Sequence, residues 1–206
     1  MPQTMISKGI VRGTASGVLF MAFFGTAWAG IGIGGLQGWG TPWLLILAVC
    51  IGIVLFIGGI ILFRSSSDLS NEIDETAAGR SRRKRISLGF NLTSGVEFAL
   101  IAIAGAIFGS AGHFEYFFPV MALIVGVHFF PLAYLFQVKI HYVAGILLCL
   151  LALTTLFFVP LKTTVGQHEI IAWWSSVGFG SALILWVTGI TIWLRGRRLI
   201  ALSRKG

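Results

Sequence analysis

One carboxylate, Glu97, lies deep inside an apolar stretch of this chain. A charge in hydrocarbon is costly, and such groups serve ion pathways, proton relays or ligand counter-ions. Asn91 and Ser94 precede it at three-residue spacing. On a helix each such step turns by about 60°, so the three share one side. That strip is expected to face protein or a wet cavity rather than lipid. The next apolar stretch carries His128, followed by Phe129, Phe130 and Pro131. Glu97 and His128 each sit about ten residues from a basic flank, roughly 15 Å deep at 1.5 Å per residue. The short connection at 111–115 makes the two stretches antiparallel neighbours. The acid and the imidazole are therefore expected to meet. Pro131 cannot donate to the Val127 carbonyl, which leaves an acceptor and a kink beside His128. Burial disfavours charge on a lone acid or imidazole, whereas each favours charge on the other. A pair held between those influences is a candidate proton relay or ion site. Two other readings stay open: a polar lock between helices, and a ligand pocket without coupling.

A second constellation lies outside the apolar stretches. His113 and Glu115 follow the third, and His168 and Glu169 follow the fifth. Two imidazoles and two carboxylates match the donor set of zinc or another divalent metal, though the spacing is no recognised motif. His141, beside Lys139 and Tyr142, reads as interfacial. Cys50 and Cys149 read as small buried hydrophobes, with neither metal-ligand spacing nor a partner nearby in sequence. No Walker loop, HExxH, GxSxG or CxxC is present, so nothing recruits a nucleophile or a cofactor. An intramembrane enzyme would need a metal or cofactor at the outer loops.

The elements that must position these groups are membrane helices. The chain has 206 residues, 56% of them hydrophobic and 11% charged, against roughly 25% charged for a soluble domain. Its mean hydropathy is +0.92. Spanning hydrocarbon takes about 20 apolar residues. Six runs qualify, at about 14–34, 42–63, 87–110, 116–137, 140–160 and 170–194. They are helical by necessity, since lipid offers no partner to a free amide. Period-two alternation is absent, which excludes a barrel. The expected fold is all-α: a single polytopic domain over residues 1–206 with six transmembrane helices and a loop at 64–86.

The net charge of +8 fits membrane topology better than nucleic acid, because the basic residues flank the apolar runs. Of the 15 Lys and Arg, only Lys162 falls on the opposite side from the rest. That bias places both termini in the cytoplasm. Trp39, Trp43, Trp173 and Trp174 fall near the outer boundary and Trp193 near the inner one, as interfacial anchors. Lys8, Arg12 and Ala27-Trp28-Ala29 have the outline of a cleaved signal peptide. Apolar character continues through Gly30 to Gly35, which favours an uncleaved first span.

In the 64–86 loop, Asp68, Glu72, Asp74 and Glu75 are expected on a short surface helix. Arg80, Arg82, Arg83, Lys84 and Arg85 read as the positive anchor of the third span, or as an anionic-lipid patch worth about 1 kcal/mol per residue. The glycine pairs Gly13/Gly17, Gly30/Gly34 and Gly105/Gly109 have the spacing of close helix crossings. They are expected inside the bundle, with dimerisation as the alternative. No repeat relates the two halves of the chain beyond shared glycines.

The segment His128-Phe129-Phe130-Pro131-Leu132-Ala133 resembles an H-F-x-P-L-A segment of small uncharacterised bacterial six-helix membrane proteins. The resemblance implies bacterial origin and six helices; it lends no catalytic residue. The sequence thus points to a bacterial inner-membrane protein whose first partner is the bilayer. The leading expectation is a small permease-like transporter of a solute or ion, with Glu97 titrating, His128 its partner, and Asn91 and Ser94 lining the path. The alternative is a structural or sensory subunit that transports nothing. No cofactor and no nucleic-acid partner is expected; a homo-oligomer is compatible with either reading.

Overall fold

The structure is a computed structural model that describes residues 8–67, 69 and 76–203. The acidic residues Asp68, Glu72, Asp74 and Glu75, expected on a surface helix, lie outside the described residues, as do Arg204 and Lys205 of the basic flank. Among the described residues, six helices are long and apolar enough to cross a membrane. They are α1 (Lys8–Gly35), α2 (Thr41–Ser65), α3 (Ala77–Ser110), α4 (Phe117–Phe136), α5 (Ile140–Phe158) and α6 (Ala172–Ser203).

Their ends follow local chemistry. Pro42 sits in the first turn of α2, where its missing amide costs nothing. Thr76 caps α3, its Oγ1 accepting from the Gly79 amide at 3.0 Å. Gln137 ends α4 in the left-handed region, at φ 56°. Its amide still reaches the Ala133 carbonyl, which turns the chain tightly into α5.

Helices α1, α3 and α6 are each longer than expected. At 1.5 Å per residue, the 34 residues of α3 span roughly 50 Å, against about 30 Å of hydrocarbon. The surplus carries Arg80, Arg82, Arg83, Lys84 and Arg85, all exposed. The expected 64–86 loop is correspondingly shorter. Helix α6 likewise carries Arg195, Arg197 and Arg198 within its helical turns, and the Arg197 guanidinium lies 5.4 Å from the Trp193 ring centre.

The helices form two groups of three. Helix α1 lies between α2 and α6; α4 lies between α3 and α5; α6 joins the groups through α5 and α4. One end of the bundle gathers the basic residues. There Val11, Ala15 and Val18 of α1 pack with Leu62 of α2 and with Ile192 and Ile200 of α6. Arg12 lies 5.1 Å from the Phe63 ring centre. At the opposite end the Ile171 amide donates to the Gly35 carbonyl at 2.8 Å.

A two-stranded hairpin, β1 (Thr163–Val165) and β2 (His168–Ile170), links α5 to α6. It turns at Gly166, with φ 66°. Trp173 and Trp174 were expected as interfacial anchors. Instead Trp173 is buried, and Trp174 packs edge-on against Phe118 with ring centres 4.9 Å apart. Phe114 and Tyr116 in the turn before α4, with Phe118 of α4, cover the first turn of α6. Trp39 and Trp43 do face outward. Trp173 Nε1 donates to the Val159 carbonyl at 2.8 Å and ties α6 to the end of α5. Trp173→Phe leaves that carbonyl unpaired. It is expected to lower stability by about 1 kcal/mol, read by reversible unfolding in mixed detergent.

The expected glycine pairs are not the close crossings. Among the described residues, nothing lies within 4 Å of a Cβ built at Gly13, Gly30, Gly34 or Gly109, because these face outward. The tight contacts belong to Gly32 with Gly178, between α1 and α6, and Gly126 with Gly145, between α4 and α5. A Cβ on Gly145 would stand 2.7 Å from the Gly126 carbonyl oxygen.

Candidate functional site

The α3–α4 seam is a run of matched positions. Phe90, Glu97 and Ala104 recur on α3 at heptad spacing, the interval that keeps one stripe against a neighbour. Leu135 and His128 recur in the same way on α4. At the basic end Gly89 lies against Leu135, and Phe90 meets Phe136 with tilted rings, centres 6.0 Å apart. At the other end Gly105 lies against Phe117, and Phe108 stacks at 5.9 Å from Tyr116. Between those apolar contacts the seam places its acid and its imidazole.

Glu97 Oε2 and His128 Nε2 are 3.4 Å apart, with the side chains 14% and 9% exposed respectively. This is an ion-pair contact, longer than a charge-assisted hydrogen bond of about 2.8 Å. A proton moving between the groups needs only a small approach. His128 Nδ1, on the far side of the ring, is buried with no hydrogen-bond partner among the described residues. Pro131 lies inside α4, one turn beyond Val127.

Ser94 is half-buried near the pair, whereas Asn91 is exposed on the outer surface of α3. The expectation that Asn91 lines a path with Glu97 is corrected: two steps of about 60° carry it roughly 120° round the helix, off the α4 side. Ala104 is the only buried residue of α3. This helix packs chiefly on α4 and touches α1 through Phe20 and Phe90, ring centres 6.0 Å apart. The site therefore lies at a two-helix seam, not at the centre of the bundle.

The four outer residues do not converge. His113 Nδ1 lies 3.1 Å from Glu115 Oε1 in the turn before α4. Glu169 is held by Lys162 at 2.7 Å across the base of the hairpin, and His168 is exposed on β2. Among the described residues, no group of three or more His, Cys, Asp or Glu side chains comes together as a metal site. Three of the four expected ligands thus sit in two local ion pairs, and His168 stands apart from both.

Cys50, expected as a small buried hydrophobe, is exposed on α2, and His141 too was read differently from its place in the structure. His141, expected at the interface, is 7% exposed. It starts the face His141, Ala144, Gly145, Leu148, Ala152, Thr155 that α5 buries. That spacing of small and apolar residues is visible in the sequence and carries His141 inward with it.

The model of a family described as "Family of unknown function (DUF7010)" matches residues 80–194, more than half of the chain and α3 to α6 in structural terms. No curated protein matches the chain, and no solved structure does.

Proposed function

The chain belongs to the DUF7010 family of unknown function, and we propose that it is a small permease-like membrane protein with Glu97 and His128 as its proton- or ion-binding site. The observation that supports this most is the pair itself: an acid and an imidazole at 3.4 Å, set midway along two helices apolar enough to cross a membrane. Ionisable groups kept at that depth mark proton relays and ion pathways. In this reading Ser94 lies beside the route. The basic end faces the cytoplasm, both termini lie there, and the membrane is a bacterial inner membrane. The exposed run from Arg80 to Arg85 then sits where anionic headgroups are, at about 1 kcal/mol for each basic residue. The partners are the bilayer and a small solute or ion; no cofactor takes part.

Purified protein in vesicles with an internal pH dye, given an acid step under a clamped potential, is the test. Acidification faster than in empty vesicles supports the proposal, and equal rates refute it.

One observation favours the second reading, a structural or sensory subunit. Helix α3 leans on α4 almost alone, so Glu97 and His128 are also the polar fastening of an otherwise apolar seam. A fastening keeps its role when a neutral hydrogen-bonding group replaces the acid; a proton carrier does not.

A further inference from the structure

We propose that α3 is the moving part of this site: at the basic end of the bundle it swings away from α4, pivoting on the turn at 111–113, and so opens the Glu97–His128 pair to water. The proposal rests on reading that pair as a proton or ion site. Towards the basic end the pair is covered by apolar side chains. Phe90 stands one heptad before Glu97, and Leu135 one heptad after His128. Leu135 packs against Gly89, and the Phe90 ring meets those of Phe136 and Phe20, with centres 6.0 Å apart in each case. An apolar plug of this kind is a barrier to ions and water, so a route from the basic end has to part it.

The α3–α4 seam is built to part more readily than its neighbours. Helix α3 buries only Ala104 and packs chiefly on α4 and the turn Phe114–Tyr116. Elements with so few buried contacts open before the rest of a fold. Elsewhere the helices interlock backbone to backbone. A Cβ on Gly145 of α5 would stand 2.7 Å from the Gly126 carbonyl oxygen of α4, and one on Gly178 of α6 would stand 2.9 Å from the Trp28 carbonyl oxygen of α1. The seam glycines of α3, Gly89 and Gly105, have side-chain atoms of Leu135 and Phe117 as their nearest neighbours instead. Contacts through side chains set the axes further apart and can rotate out of the way. The two ends of α3 are also held differently. At the outer end the His113 amide donates to the Phe108 carbonyl at 2.9 Å, and Gly112 turns the chain at φ 74°. Phe108 stacks on Tyr116, and α4 begins at Phe117. That end stays with α4, and hinges form at such element ends. The basic end is held by the side chains of Leu135, Phe136 and Phe20. A tilt of about 10° at Gly112 moves Leu88, roughly 36 Å away at 1.5 Å per residue, by about 6 Å, and Glu97 by about 4 Å. Water entering that gap keeps Glu97 and His128 hydrogen-bonded while they are apart.

The test is electron–electron double resonance on the full chain in lipid nanodiscs, with spin labels on cysteine pairs in a Cys50→Ser, Cys149→Ser background. Leu88→Cys with Ile61→Cys spans the basic ends of α3 and α2, and Ile107→Cys with Trp43→Cys spans their outer ends. Ile61→Cys with Val143→Cys spans α2 and α5; all five positions are exposed. Glu97→Leu removes the polar fastening. It is expected to add a component at least about 5 Å longer to the first distance and to leave the other two unchanged. Identical distances with and without Glu97→Leu overturn the movement and leave the reading of the pair intact. Should Glu97→Leu fail to fold, His128→Leu is judged by the same distances. The converse variant locks the seam. A Cβ on Gly89 would stand 3.7 Å from Leu135 Cγ, so Gly89→Cys with Leu135→Cys is within reach of a disulfide. Exchange through an opening falls with the population of the open state. Proton–deuteron exchange at the Glu97 carboxyl, read by infrared, is therefore expected to be at least about tenfold slower in the oxidised protein than in the same protein reduced. Equal rates overturn the proposal. A wild-type protein with no exchangeable Glu97 carboxyl band overturns the reading of the pair, and this proposal with it.

Discussion

Vesicles containing Glu97→Gln are expected to conduct protons at least about 100-fold more slowly than wild type, the lower range for loss of a proton-transfer group. The substitution isolates chemistry from packing. Gln has nearly the size of Glu and keeps an oxygen and a donor at the His128 edge, so the seam from Gly89 to Phe108 retains its contacts. What it lacks is a group that binds and releases a proton. Circular dichroism and detergent unfolding should match wild type. If the protein stays folded and conduction is unchanged, Glu97 is a fastening only and the subunit reading is correct. Glu97→Leu separates the roles further, because it removes the fastening too. It leaves His128 facing hydrocarbon with no partner on Nε2, and is expected to loosen α3 as well as stop conduction.

The largest effect on stability is expected at Gly178. A Cβ there would collide with backbone atoms of Gly32 and come within 2.9 Å of the Trp28 carbonyl oxygen. Backbone cannot swing aside as a side-chain tip can, so α1 and α6 must separate. These two helices share the most extensive contact in the molecule, and their crossing also seats Val177 and Leu185 in the core. Gly178→Ala is expected to cost about 3 kcal/mol, the upper range for overpacking. Gly13→Ala is the matched control. It adds the same methyl where nothing lies within 4 Å, and is expected to be neutral or to stabilise by up to about 1 kcal/mol through helix propensity. Both are read from unfolding midpoints in mixed detergent. Equal destabilisation by the two variants would show that the α1–α6 crossing is not set by glycine contact.

Six helices and the meeting of Glu97 with His128 could be read from the chain because they depend on counting. Run lengths, a short connection and residues of rise place both groups at one depth. Rotation about the helix axis is harder to read. It depends on which neighbour a helix leans on, and that is why Asn91 faces outward while Glu97 faces α4. The same limit explains the glycines. Gly30 and Gly34 have the right interval, but Gly32, between them, faces α6. Interval alone does not choose a face. His141 was placed by its neighbour Lys139 in sequence rather than by the small-residue face it belongs to. The helical start at Ala77 is signalled by Thr76 at the cap, a cue outweighed in reading by the run of charge that follows. The hairpin at 163–170 is short and sits between two long apolar signals, although Gly166 marks its turn.

The most direct measurement is an infrared titration of Glu97 in lipid nanodiscs, with the protonated-carboxyl stretch assigned by its loss in Glu97→Gln. The band is predicted to rise and fall reversibly with the pH of the surrounding buffer, and to change its midpoint in His128→Ala. A band that stays constant at every pH at which the protein remains folded would contradict the account, because an acid that bulk protons never reach cannot take part in moving them.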